Sequence, residues 1–101
     1  MNDHTVAAIE EAYQSVMVAL QERCVTSNVT AAADASLYRL AYLLCMQGLL
    51  SQDQLAAVDH FQRAFGLLTG RRIPPSPEVA AGFVDSARQL VGAVSAARRA
   101  A

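Results

Sequence analysis

No lysine occurs anywhere in the chain; all eight basic residues are arginine. Together with an alanine content of twenty residues in 101, this bias matches the coding preference of a GC-rich bacterial genome and points to a bacterial source. Only three prolines and five glycines are present, against 53% hydrophobic residues, which excludes collagen-like, low-complexity and disordered chains. Long apolar runs are missing too. The longest, Leu40 to Met46, is bordered by Arg39 and falls far short of the roughly 20 residues that span a bilayer. The opening "MNDHTVAAIEE" is acidic where a secretory signal is basic, so a soluble, cytoplasmic protein without a membrane partner is expected. There is no internal repeat and no alternating strand-like stretch. The length suits one domain with a modest core.

What is present is helical periodicity. Val6, Ile9, Tyr13, Val16, Leu20 and Cys24 recur at three- and four-residue steps, predicting a first helix over about 5–24, capped by Asp3 or Thr5. "VTSNV" then breaks it. Thr30 can cap a second helix over about 31–49, ending near Gly48. "SQDQ" has the form of a capping box, with Ser51 as cap and Gln54 reaching back, and starts a third helix over about 52–69 on Leu55, Val58, Phe61, Phe65 and Leu68. Gly70 terminates it, and "RRIPPSP" is extended because each residue before a proline is pushed out of the helical region. Ser76, Pro77 and Glu78 open a fourth helix over about 77–99 on Val79, Phe83, Ala87, Leu90, Val91 and Val94. Rods of roughly 27 to 35 Å, joined by short connections, predict an all-α, antiparallel bundle of four helices in a single domain, residues 1–101.

Charge is segregated along the chain. Residues 1–60 carry seven acids against two arginines, and residues 61–101 carry six arginines against two acids. In an antiparallel bundle this amounts to internal complementarity; the alternative is a basic surface for an anionic partner, formed by Arg71, Arg72, Arg98 and Arg99.

Short chemical motifs are absent or incomplete. In antiparallel first and second helices, Cys24 and Cys45 stand about 20 Å apart, beyond the roughly 7 Å between Cα atoms that a disulfide tolerates, so both read as reduced, buried thiols. His4 and His60 have no partner at metal-ligand spacing. "ADASLYRL" departs from the Asp-Ser-Leu of acyl carrier proteins because Ala35 separates Asp34 from Ser36. Arg71, Pro74 and Pro77 fit an SH3-ligand spacing, but Pro77 already has a role as helix starter. A helix-turn-helix reading of "QGLLSQDQLAAV" is disfavoured by Asp53 and Asp59 on the would-be recognition helix. No catalytic set, metal site or cofactor is expected.

The second helix is oilier than one buried stripe requires. Leu37, Leu40, Ala41, Leu44 and Gly48 form its core side, while Leu43, Met46 and Leu50 fall on another side and are not polar. Gly82 and Ser86, like Gly92 and Ala96, are four apart on the fourth helix and would let another helix approach closely. Leu43, Met46, Leu50, Gly82 and Ser86 are therefore the expected interface. The expected function is that of a non-enzymatic bacterial helical protein acting through protein–protein contact, as adaptor, regulator or chaperone-like binder, and homodimerising through its second helix. The alternatives are a bundle that binds an apolar small molecule between its first three helices, and a non-specific nucleic-acid accessory protein using the arginine-rich C-terminal part. For the last, phosphate contacts would make affinity fall steeply with salt. The expected result is no saturable binding of duplex or single-stranded DNA at physiological salt, checked by a mobility-shift titration at several salt concentrations.

Overall fold

A computed structural model describes residues 3–70 and 75–96. Among them are four helices and no strand: α1 (Asp3–Thr26), α2 (Leu37–Met46), α3 (Gln52–Thr69) and α4 (Pro77–Ala96). The all-α, four-helix architecture agrees with the periodicity.

The two helices with the strongest start signals begin where expected. At α3, the Gln54 amide donates to Ser51 Oγ (3.1 Å) and the Ser51 amide donates to Gln54 Oε1 (2.8 Å), a complete capping box. At α4, the Val79 amide donates to Ser76 Oγ (3.2 Å), with Pro77 in the first helical position and Glu78 in the first turn. The predicted extension of α4 to residue 99 lies outside the described residues.

The second helix is much shorter than its apolar content suggests. Thr30 does not cap it; Ser36 does, with extended backbone and its Oγ accepting from the Arg39 amide at 3.1 Å. The three alanines at 31–33 have the highest helix propensity of any residue type, yet they lie outside the helix. Val29, Ala31 and Ala35 instead pack against the core from the irregular connection, so tertiary burial overrides local preference. At the other end, Gly48 adopts φ 75°, its amide donates to Cys45 O (3.0 Å), and the Leu49 amide donates to Leu44 O (3.0 Å). These two bonds and the left-handed residue form a Schellman ending that turns Leu49 and Leu50 into the core. Leu50 is thus not on an outer helical face; it lies beyond the helix and is only 5% exposed. The end of α1 is built the same way, with Asn28 at φ 58° and Val29 N donating to Cys24 O at 2.8 Å.

Directions follow from side-chain neighbours. The Tyr38 amide donates to Gln62 Oε1 (3.0 Å), which sets α2 antiparallel to α3 across the tight connection. Between α3 and α4, the early residues Asp53 and Gln54 share a groove with the late residue Ala93, so this pair is antiparallel too. By contrast, Thr5 and Ala8 border Pro77 and Ala80, while Ala12 and Ser15 border Ala87 and Val91. Hence α1 and α4 run the same way. The ten-residue connection 27–36 makes this possible, because it is long enough to return the chain before α2 begins.

The core gathers Ile9, Val16 and Leu20 of α1, Leu37, Leu40 and Leu44 of α2, Val58 and Phe61 of α3, and Phe83, Leu90 and Val94 of α4. On α4 the stripe is rotated slightly from expectation, with Ala80 buried and Val79 47% exposed. Gly48→Ala places a Cβ in the left-handed region, and Ser51→Ala removes the α3 cap. Each should cost about 1 kcal/mol, seen as a lower urea midpoint at unchanged slope.

Candidate functional site: an apolar groove and an exposed aromatic stripe

Two surface features stand out, and both follow from how the helices meet. The first lies between α3 and α4. Phe61 and Phe83 stack at its base with ring centroids 4.3 Å apart and planes 12° from parallel. The stack continues through Phe65, 6.2 Å from Phe83, to Tyr13, 3.9 Å from Phe65, and so ties α1, α3 and α4 together. Two phenyl rings face to face hold the helix axes apart. Above them Ala57 and Ala64 of α3 and Ser86 and Ala93 of α4 are too small to close the gap. A groove of about 580 Å³ results, rimmed by Asp53, Gln54, His60 and Gln89. That volume is within the range of small-molecule sites, roughly 300–1,000 Å³.

Ser86 is one of the groove's lining residues, and Gly82 stands one turn before it on α4. Among the described residues a Cβ at Gly82 would meet nothing within 4 Å, so none of them makes the close helix approach suggested by these small residues. Ser86 Oγ donates to the Gly82 carbonyl at 3.0 Å.

Asp53, His60 and Ser86 thus border one groove, an association invisible along the sequence. The three residue types could form a nucleophilic set, but the spacing is wrong. Asp53 and His60 are seven residues apart on one helix, about 10.5 Å along its axis, so the carboxylate cannot orient the imidazole. The Ser86 hydroxyl is directed at its own helix. Among the described residues, no group of three His, Cys, Asp or Glu side chains could hold a metal ion.

The second feature is the outer side of α2. Tyr38, Tyr42 and Met46, at successive four-residue steps, are 39%, 36% and 66% exposed. The two tyrosine rings stack at 6.4 Å, and the Arg39 guanidinium lies 5.7 Å from the Tyr42 centroid, a cation–π contact. Leu43 is half-buried beside this stripe. Of the three side chains expected here, Met46 is fully available, Leu43 partly, and Leu50 is withdrawn into the core. Tyr38 and Tyr42 were not among the residues expected here; their four-residue spacing with Met46 is the sequence signal that the three share a face.

Arg71, Arg72, Arg98 and Arg99 lie outside the described residues. Arg63 and Arg88, from the same basic half of the chain, pair within their own helices with Asp59 (3.1 Å) and Asp85 (3.7 Å). Ser36, of the "ADASLYRL" stretch, is engaged as the α2 cap. Both cysteines are free thiols. Cys24 is buried, and desolvation raises its pKa, which disfavours the reactive thiolate. No protein-family model matches the chain, and no curated protein or solved structure shows significant similarity to it.

The Cys24 shift has a sign that can be measured. The folded state holds this proton more tightly than the unfolded state does, so its stabilising contribution is full below the ordinary thiol value and is lost as pH rises through the folded pKa. Urea midpoints should therefore decline from neutral pH into the alkaline range, with a shallower decline in Cys24→Ala. In native protein, Cys45 should react with a thiol reagent before Cys24.

Proposed function

We propose that the protein acts by contact and not by chemistry, as a small non-enzymatic adaptor, regulator or chaperone-like binder of a bacterial cytoplasm. Its first partner is a second copy of itself, joined through α2. The observation that carries this reading is the exposed stripe Tyr38–Tyr42–Met46 with Arg39 alongside. Aromatic residues, methionine and arginine are the types enriched in interface centres, and large apolar groups left in water favour association. Packed antiparallel across a two-fold axis, two such helices would set the Met46 thioether of each copy against the other's Tyr38 ring, a favourable sulfur–aromatic contact.

A ten-residue helix is about 15 Å long, short for the roughly 800 Å² per partner of a standard interface. The dimer should therefore form in the micromolar range. Light scattering on a sizing column should show the mass rising from 10.8 kDa toward twice that value as concentration increases. Met46→Asp changes an exposed position and should hold the protein as a folded single chain throughout. A wild-type chain that stays monomeric at several hundred micromolar refutes self-association.

The α3–α4 groove favours a second reading, binding of an apolar small molecule. On this reading the ligand would sit between α3 and α4, whereas the site expected from the sequence lies among the first three helices.

A further inference from the structure

We infer that Met46 is an oxidation site through which a hydroperoxide controls the α2 surface: conversion of its thioether to the sulfoxide separates the two copies. This rests on the self-association reading of α2 and goes beyond it by assigning a regulatory chemistry to that contact.

The site follows from how α2 ends. A helical side chain leans toward the N-terminus and covers the turn before its own, so Met46 reaches back toward Tyr42 and would itself be covered by residue 50 in a continued helix. The left-handed Gly48 diverts the chain first, and Leu50 goes into the core. Met46 is thereby left 66% exposed at the end of the stripe. The other sulfur groups of the described residues are better covered. Met17 is half-buried against the core, Cys24 is buried, and Cys45 is half-buried on α2. The thioether that a small oxidant reaches first is therefore the one set in the contact stripe.

The chemistry needs one co-reactant, a hydroperoxide. The sulfur lone pair attacks its terminal oxygen, and an S–O bond forms as the O–O bond breaks. The proton of the transferred hydroxyl passes to the departing oxygen, which leaves as water or an alcohol. Sulfur loses two electrons and the peroxide gains two; sulfoxide reductases reverse the step. The product is polar where the thioether was apolar. Set against the partner's Tyr38, it forfeits the sulfur–aromatic contact and holds a strongly hydrated acceptor over a ring. Two-fold symmetry repeats that loss at both Met46–Tyr38 contacts. Association in turn covers the thioether, so oxidation proceeds through the separated chain.

The test treats the full chain with hydrogen peroxide at about pH 5, where thiols stay protonated, and then returns it to neutral pH. Mass spectrometry with peptide fragmentation should place the first added oxygen on Met46, before Met17, and the reaction should slow as protein concentration rises into the dimer range. Light scattering should show the dimer Kd raised tenfold or more, with the helical circular dichroism unchanged. Met46→Leu, apolar and of similar size, should dimerise and keep its dimer after peroxide. Met46→Gln, polar at the same position, should behave like the oxidised chain without treatment. A wild-type chain that never dimerises removes the self-association reading and this inference with it. If the wild type dimerises but Met46 oxidation leaves its Kd unchanged, if Met17 takes the first oxygen, or if peroxide separates Met46→Leu as well, the α2 contact stands and the oxidation site is wrong. Loss of the helical signal on oxidation also overturns it.

Discussion

The stack of Phe61 on Phe83 is the contact on which the rest of the molecule turns. It joins α3 to α4 at the core edge, passes through Phe65 to Tyr13, and so couples three of the four helices by ring contact. Burial of two phenyl side chains supplies several kcal/mol of transfer free energy, at roughly 1.5–3 kcal/mol each. The geometry of the stack has a second effect. Rings laid face to face keep the two helices apart, and with alanine and serine above them the separation stays open as a groove. The same contact that stabilises the fold also makes a binding surface available.

A second constraint acts on α2. Ser36 starts the helix late and the turn at Gly48 ends it near the expected place, so an oily segment that could support nineteen residues of helix by its pattern forms ten. The surplus apolar residues are disposed of in two ways. Leu49 and Leu50 are folded inward by the Schellman ending, and Val29, Ala31 and Ala35 cover the core from the preceding connection. What remains outside is a short stripe of two tyrosines and a methionine. The exposed patch is therefore smaller and more aromatic than an uninterrupted helix would present, and its tyrosine hydroxyls keep it compatible with water.

The two surfaces differ in the kind of recognition they favour. The α2 stripe is convex and amphipathic, suited to another protein; the α3–α4 groove is concave, with an apolar base and a sparse polar rim. Neither gathers an acid, a base and a nucleophile within hydrogen-bond reach. Asp53, His60 and Ser86 show the difference between residues that share a groove and residues that act together, since two helical turns separate the first pair and a backbone carbonyl holds the third.

The sequence by itself determined the helices whose ends are local. The reciprocal hydrogen bonds of Ser51 and Gln54, and the Ser76-Pro77-Glu78 start, involve residues within one turn of each other, so spacing alone located α3 and the beginning of α4. The buried set Leu37, Leu40, Ala41 and Leu44 was likewise legible, because a helix in one environment has one buried phase. Tertiary structure decided what depends on long-range competition. Three consecutive alanines stay out of a helix because the connection they belong to packs on the core, and Leu50 is buried because a left-handed glycine redirects the chain. The shared direction of α1 and α4 and the groove above Phe61 and Phe83 arise between elements far apart in sequence, where periodicity within each helix carries no information about which neighbour it meets or how closely.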